Sequence, residues 1–196
     1  MNLPNKLTLI RIAAIPFFIA CFFLPETVLF SVFGADVLLK YIIAAAVFIL
    51  AYITDIMDGR IARKRGIVTD FGKLMDPIAD KLLTASCMIM LIGRGLMSFC
   101  DELMPLFTII VLAREFLVSG IRLVAASKGR VIAAGKLGKM KTLLQSISLP
   151  VILIAGPVFK AIGVPIDFIL LAAAVVMTIW SGLDYALRNK EVFKAE

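Results

Sequence analysis

The feature that most constrains this chain is a series of six long apolar stretches separated by short polar breaks. They cover residues 4–24, 37–61, 73–93, 103–125, 139–157 and 164–187. An α-helix needs about 20 residues to cross a bilayer core roughly 30 Å thick, and most of the stretches are close to that length. Because they are apolar on nearly all sides, periodicity is uninformative and length favours helices over strands.

The overall composition supports a membrane protein. Hydrophobic residues make up 61% of the 196 residues and the mean hydropathy is +1.01, whereas soluble domains are about 45–50% apolar. A soluble enzyme, a disordered chain and a secreted disulfide scaffold are excluded. The first stretch has no small-residue cleavage site and is assigned to the membrane. We predict an all-α integral membrane protein with one domain, residues 1–196, and six transmembrane helices.

The cations are distributed unevenly between the two ends of these helices. The chain has 21 Lys and Arg residues against 14 Asp and Glu residues. If the N-terminus is cytoplasmic and six helices cross the membrane, only Lys40, Arg94 and Lys160 lie on the far side. Cytoplasmic loops of membrane proteins carry such an excess of cations. Both termini are therefore expected in the cytoplasm, and the net charge of +7 needs no nucleic-acid partner.

Two aspartates lie at the end of the second stretch. The uncharged run 41–54 has 14 residues, about 21 Å of helix, which is shorter than the bilayer core. The helix must therefore continue through Asp55 and Asp58, which share one face with Gly59. Asp76 and Asp80 are four residues apart and also share a face. All four carboxylates are expected to meet at the cytoplasmic boundary of the membrane.

Four carboxylates this near to one another require either protons or cations to neutralise them. The chain has no histidine, so any metal is held by oxygen, which favours Mg²⁺, Mn²⁺ or Ca²⁺. Two such ions can clamp a phosphate or pyrophosphate. The alternative is purely structural, with Asp55 and Asp58 paired to nearby cations such as Arg60, Arg63 or Lys64. Pro77 either kinks the third helix or lies in its first turn after an N-cap at Asp76.

The stretch 55–80 contains the pattern D-x2-D-G-x2-A-R-x8-G-x3-D-x3-D without departure. This pattern resembles the signature of the CDP-alcohol phosphotransferase (phosphatidyltransferase) family. The resemblance implies transfer of a phosphatidyl group from a CDP-linked donor to an alcohol, with release of CMP. It implies two divalent cations, Mg²⁺ or Mn²⁺, held by Asp55, Asp58, Asp76 and Asp80. It also implies Asp80 as the general base, and donor binding by Gly59, Ala62, Arg63 and Gly72.

A second cationic cluster bears on the acceptor. Arg114 and Arg122 lie within the fourth stretch. A charged side chain inside a membrane segment has a high energetic cost and usually marks a functional site. Lys128 and Arg130 are instead expected on a loop, as ordinary cytoplasmic charges. A neutral acceptor would not need several cations, whereas a phosphorylated one would. The predicted acceptor-phosphate site consists of Arg114, Arg122, Lys136, Lys139 and Lys141.

Three further segments resemble one branch of the family, the bacterial phosphatidylglycerophosphate synthases. They are A-R-E-F-L-V-S-G-I-R at 113–122, G-K-L-G-K-M-K-T at 135–142 and the opening N-L-P-N-K-L-T-L-I-R. That branch joins CDP-diacylglycerol to sn-glycerol 3-phosphate and gives phosphatidylglycerophosphate and CMP. The resemblance implies donor binding by Asn5, Thr8 and Arg11, a homodimer, contact with membrane lipid, and a multi-pass protein of the bacterial plasma membrane. Asn5 is alternatively a helix N-cap.

Two rival functions remain open from the sequence. Within the family, the acceptor is alternatively phosphatidylglycerol, inositol phosphate or serine. From another class, a divalent-cation transporter also carries intramembrane carboxylates, although such proteins more often contain inverted repeats and bind ions near the midplane. No repeat is evident in this chain. The three cysteines, Cys21, Cys87 and Cys100, have no close pairing and are expected to be packing residues.

Overall fold

The computed structural model describes residues 3–65, 70–129, 132 and 135–190. Each predicted apolar stretch forms a helix, so the prediction of six long helices is confirmed, and the architecture is that of an all-α membrane protein. The helices are α1 (Leu3–Cys21), α2 (Leu39–Arg65), α3 (Asp70–Leu91), α4 (Met104–Ser127), α5 (Lys136–Ile162) and α6 (Ile166–Arg188). A short 3-10 turn, Asp101–Leu103, precedes α4.

Helices α1 and α2 form an antiparallel pair. The rings of Phe22 and Tyr41 lie 5.8 Å apart at one end, and those of Phe18 and Phe48 lie 6.2 Å apart further along. The small residues Ala44 and Ala45 are fully buried beside them. α2 is 27 residues long, roughly 40 Å, and continues through Asp55 and Asp58 as the sequence predicted.

Proline occurs inside several helices. Pro16 lies in α1, and Pro150 and Pro157 lie in α5. Proline is more frequent in membrane helices because neighbouring helices and polar side chains satisfy the carbonyl groups that it frees. Pro77 lies eight residues into α3. The alternative that placed it in the first turn, after an N-cap at Asp76, is therefore wrong.

One element departs from the all-α prediction. Residues between α1 and α2 form an antiparallel hairpin of β1 (Val28–Val32) and β2 (Ala35–Leu38). Phe33 and Gly34 join the strands with φ values of 52° and 79°, as a two-residue hairpin turn of the primed type requires. The sequence analysis predicted no strand around Gly34, which lies between the first two apolar stretches. The β-branched and aromatic residues that flank it were the missed signal.

The hairpin marks one end of the bundle, which we call the hairpin end. It consists of the hairpin, the segment 92–103 and the turn between α5 and α6. The buried Asp167 of α6 accepts a hydrogen bond from the backbone N–H of Ser98 at 2.8 Å and another from its hydroxyl. Lys40 donates to Glu26 at 2.7 Å. This contact and the charge of Lys40 lower the pKa of the Glu26 carboxyl. Lys160 and Arg94 also lie here.

The outward faces of the helices are strongly apolar. Large side chains such as Leu50, Ile109, Leu123, Val176 and Trp180 are exposed on the bundle surface. Among the described residues, two helical segments are long and apolar enough to cross a membrane, Leu137–Ile162 and Ile166–Arg188. An apolar surface this extensive is what lipid covers in a membrane protein.

Candidate active site

The opposite end of the bundle, which we call the site end, gathers most of the predicted functional residues that the structure describes. Arg11 of α1 is buried and its Nη1 lies 2.6 Å from Oδ1 of Asp55 on α2. Thr8 is also buried, one turn before Arg11 on the same face of α1. The antiparallel pairing of α1 with α2 brings this face against Asp55. The sequence did not identify Arg11 as the partner of Asp55.

A cavity of about 270 Å³ opens beside Asp80, between α3, α4, α5 and α6. Asp80 is half-buried. The charged residues that line the cavity are Asp80, Lys81, Arg114, Glu115, Arg122, Lys141 and Asp184. A carboxylate able to act as a base therefore shares one cavity with several cations able to hold an anion.

A single carboxylate pairs with two cations of this cavity. Glu115 of α4 pairs with Arg114 at 3.2 Å and with Lys141 of α5. Lys81 of α3 donates to the hydroxyl of Ser119, which itself donates to the backbone carbonyl of Glu115 at 2.6 Å. Cations this deeply placed need fixed partners, because a buried charge without one is costly. Glu115 and Ser119 thus hold the side chains of Arg114, Lys141 and Lys81 in place.

Two glycines lie against the Arg114 side chain, and the one on α6 leaves space for it. A Cβ added to Gly182 of α6 would lie 3.0 Å from Cγ of Arg114, and one added to Gly138 of α5 would lie 3.5 Å from its Nη2. The guanidinium of α4 therefore passes between α5 and α6. Close approach of this kind is a common reason for glycine inside a helix.

The structure places the predicted acceptor residues in different surroundings. Arg114, Arg122 and Lys141 line the cavity beside Asp80. Lys139 is exposed and is absent from the described lining residues. Lys136 is the first residue of α5, and its side chain lies outside the described part of the chain. The roles of all five remain predictions.

Several predicted donor and metal residues fall on side chains that the structure does not describe. Asn5 lies inside α1, which begins at Leu3, so the alternative of an N-cap at Asn5 is wrong. The other predicted residues whose side chains lie outside the described part are Asp58, Gly59, Ala62, Arg63, Gly72 and Asp76. Among described residues no cluster of three or more metal-binding side chains occurs.

The donor set nevertheless fits hard divalent cations. Asp55 and Asp80 are both at the site end, where the charges of Asp55 and Glu115 act on the carboxylate of Asp80. The chain offers carboxylate oxygen and no imidazole, which suits Mg²⁺ or Mn²⁺. These ions would also relieve the repulsion between carboxylates.

Three residues of the cavity were missed by the sequence analysis as functional candidates. Lys81 follows Asp80 directly, and Glu115 follows Arg114, so adjacency to a candidate was an available signal. Tyr185 of α6 also lines the cavity, but no motif marks it. The packing of α4 against α6, with Arg114 beside Gly182, is what places Tyr185 there.

Comparison with known proteins identifies the family of the chain. A family model described as CDP-alcohol phosphatidyltransferase matches residues 1–180. Two relatives are named CDP-diacylglycerol–glycerol-3-phosphate 3-phosphatidyltransferase. The one from Bacillus subtilis (strain 168) is 40% identical, over 98% of this chain and 97% of the relative. The one from Rickettsia bellii is 39% identical, over the same two shares.

A more distant relative from Pseudomonas fluorescens carries the same name. It is 33% identical, over 94% of this chain and 88% of the relative. The family match covers the aspartate pattern and the cations of the cavity, and the relatives span nearly the whole chain. The chain therefore belongs to the CDP-alcohol phosphatidyltransferase family.

Proposed function

We propose that this protein transfers the phosphatidyl group of CDP-diacylglycerol to sn-glycerol 3-phosphate, giving phosphatidylglycerophosphate and CMP for phospholipid biosynthesis. The assignment of the acceptor rests on one observation: Asp80 lines the same cavity as Arg114, Arg122 and Lys141. An acceptor that bears a phosphate and a reactive hydroxyl matches this combination of cations and base. Relatives at 33–40% identity are named for the same reaction.

The reaction needs one proton transfer and one displacement at phosphorus. Asp80 accepts the proton of the 1-hydroxyl of glycerol 3-phosphate, and the oxygen attacks the β-phosphorus, which carries diacylglycerol. The bond from that phosphorus to the bridging oxygen breaks, and CMP leaves with the electron pair. Phosphoryl transfer depends mainly on positioning and electrostatic stabilisation. Arg114, Arg122 and Lys141 would supply both for the acceptor.

The donor would bind nearer α1, α2 and the start of α3. Two divalent cations held by Asp55, Asp58, Asp76 and Asp80 would neutralise the pyrophosphate when bound. Arg11 lies beside Asp55, and Thr8 is buried one turn before Arg11 on the same face of α1. This placement fits the proposal that they and Asn5 contact the donor. Gly59, Ala62 and Gly72 would let the nucleotide approach the backbone, and Arg63 would hold a donor phosphate.

The acceptor is tested with purified protein in detergent micelles containing CDP-diacylglycerol and one labelled acceptor at a time. We expect CMP release and a phosphatidyl product with glycerol 3-phosphate. Phosphatidylglycerol, inositol phosphate, serine and glycerol should be poor acceptors. If one of these is used in preference to glycerol 3-phosphate, the protein has a different acceptor within the family. The transporter is tested with the same protein reconstituted into lipid vesicles. Metal movement into these vesicles without CMP release would indicate the transporter instead.

Substitution of the cavity arginines tests the site itself. Arg114→Gln and Arg122→Gln should each raise the KM for glycerol 3-phosphate. Loss of one charge-assisted hydrogen bond corresponds to roughly 10- to 150-fold. The KM for CDP-diacylglycerol should change little. Lys128→Gln is the matched control, because Lys128 is exposed after the end of α4. Equal effects of all three would indicate a diffuse surface field.

We further propose that six helices cross the bacterial plasma membrane with both termini and the site end in the cytoplasm. Lys40, Arg94 and Lys160 at the hairpin end match the small share of cations expected outside. Cys100 lies at this end and is half-buried, whereas Cys21 and Cys87 are buried. A membrane-impermeant thiol reagent should therefore label intact cells at Cys100. Cys100→Ser is the control and should lose the label, and labelling that occurs only after lysis would contradict this orientation.

The resemblance to the family also supports a homodimer in contact with membrane lipid. Exposed apolar side chains on α4, including Phe116, Leu117 and Ile109, give each copy a surface that lipid or a second copy must cover. Light scattering on the detergent-solubilised protein should give a mass of two chains, each 21.4 kDa. A mass of one chain would contradict the homodimer.

A further inference from the structure

Helix α6 supplies a wall of the cavity that carries no predicted functional residue. Ser181, Asp184 and Tyr185 line it, each from the last two turns of the helix. Tyr185 is 8% exposed. Its hydroxyl is buried and has no hydrogen-bond partner among the described residues. The Nε of Arg114, on the facing helix α4, is also buried and has no hydrogen-bond partner among the described residues.

Unsatisfied polar atoms of this kind are rare inside proteins, because each loses its hydrogen bonds to water without replacement. Here they occur at a cavity and not in the tightly packed core. The two guanidinium groups whose charges act on the Tyr185 hydroxyl are those of Arg114 and Arg122. These are the groups proposed above to hold the acceptor phosphate. A donor hydroxyl, a guanidinium N–H and a second guanidinium are therefore grouped where an anion would bind.

The surrounding residues account for this arrangement. Gly182 lies one turn before Tyr185 on α6, and the missing side chain there gives the Arg114 stem its room. Glu115 is the partner of Nη1 of Arg114, and no described residue accepts a hydrogen bond from its Nε. The buried hydroxyl of Ser181 does have a partner, the backbone carbonyl of Thr178 at 3.0 Å. Tyr185 is thus the side chain of α6 with a buried donor still available in the described structure.

We propose that the hydroxyl of Tyr185 donates a hydrogen bond to the phosphate of the acceptor, beside Arg114 and Arg122. This rests on the proposed function and adds a residue to it. Cations attract any anion, whereas a fixed neutral donor adds a direction that a tetrahedral phosphate with several acceptor oxygens satisfies.

The test is Tyr185→Phe, which removes only the hydroxyl. We expect the KM for glycerol 3-phosphate to rise about tenfold, as for loss of a hydrogen bond to a charged group. The KM for CDP-diacylglycerol and kcat should stay within about twofold of the wild type. Tyr41→Phe is the matched control, because Tyr41 is also buried but packs at the hairpin end against Lys40 and Phe22. It should leave all three constants unchanged.

Each result separates this proposal from the general function. If the wild type uses glycerol 3-phosphate and Tyr185→Phe keeps the same KM for it, the Tyr185 assignment is overturned and the function stands. If the wild type does not use glycerol 3-phosphate, both fail. A purely structural role for the hydroxyl would lower the unfolding temperature of Tyr185→Phe in detergent without a selective change in the KM for the acceptor, and would also overturn the assignment.

Discussion

The two ends of the bundle use buried polar groups in opposite ways. At the hairpin end, Asp167 is fully buried and receives hydrogen bonds from the N–H and hydroxyl of Ser98. At the site end, Arg114 and Tyr185 each keep a buried donor that no described residue satisfies. Both ends contain buried charged side chains, and the outer surface of the bundle is apolar. Within the part of the chain that the structure describes, only the site end leaves buried donors without a partner, and a ligand could accept hydrogen bonds from them.

This difference indicates which property each end serves. A satisfied buried network contributes to stability and removing one member is costly, because its partner is left unpaired. An unsatisfied donor reduces stability in the free protein and is retained where it binds substrate. Variants at the hairpin end should therefore change the free energy of unfolding, and variants at the site end should change kinetic constants.

The largest expected effect at the site end follows from removal of metal. Excess EDTA should abolish CMP release, and added Mg²⁺ or Mn²⁺ should restore it, because four carboxylates and no histidine are available for a cation. EDTA already saturated with Mg²⁺ is the control and should leave turnover intact. Full turnover in excess free EDTA would show that the aspartates act without metal.

The second prediction compares the substitution of one aspartate at each end of the bundle. Asp80→Asn should lower kcat by at least about 100-fold, the lower range of general-base contributions, with little change in unfolding temperature. Asp167→Asn should retain kcat, because Asp167 lies at the hairpin end and is not among the described residues that line the cavity, and should lower the unfolding temperature in detergent. Near wild-type turnover in Asp80→Asn would refute its role as base. A selective loss of kcat in Asp167→Asn would refute the separation of the two ends.

Much of the fold was predictable because it depends on apolar length and charge. The six helices follow from stretches that fill a bilayer, and the continuation of α2 through Asp55 follows from the short uncharged run before it. The hairpin was not predicted, because residues 25–36 fell between two predicted helices and were treated as a break. The start of α3 was also missed: Asp70 begins the helix, before the apolar stretch that marked it.

The site was predictable as a set of residues but not as an arrangement. Arg114, Arg122 and Lys141 could be selected because charge within apolar segments is unusual. The pairing of Arg11 with Asp55 depends on how α1 packs on α2, and no spacing within one segment encodes it. Tyr185 has an ordinary residue type at an ordinary helix position. Only the packing of α4 against α6 shows that it lines the cavity.

A smaller effect is expected from a glycine at the hairpin end. A Cβ added to Gly156 of α5 would lie closer than 3.0 Å to the backbone carbonyl oxygen of Leu96, and backbone cannot move aside as a side chain does. Gly156→Ala should therefore lower the free energy of unfolding by about 1–3 kcal/mol, the usual range for overpacking. The KM for either substrate should not change in the protein that folds. An unchanged unfolding temperature would show that this end tolerates displacement of the segment 92–103.

The matched glycine at the site end should give the smallest and most selective effect. A Cβ added to Gly182 would lie 3.0 Å from Cγ of Arg114, and the flexible arginine can shift by a few tenths of an ångström. Alanine also favours the helix by up to about 1 kcal/mol, so Gly182→Ala should unfold at the wild-type temperature or above it.

The displaced guanidinium should nevertheless bind the acceptor less well. We expect the KM for glycerol 3-phosphate to rise roughly three- to tenfold, since misplacement of a binding group by a fraction of an ångström is costly. The KM for CDP-diacylglycerol should not move. Gly120→Ala is the control, because Gly120 lies within α4 with no atom near an added Cβ. Equal kinetic changes in Gly120→Ala and Gly182→Ala would mean that helix propensity, and not the position of Arg114, controls acceptor binding. An unchanged KM in Gly182→Ala would mean that Arg114 finds the phosphate without the space that this glycine provides.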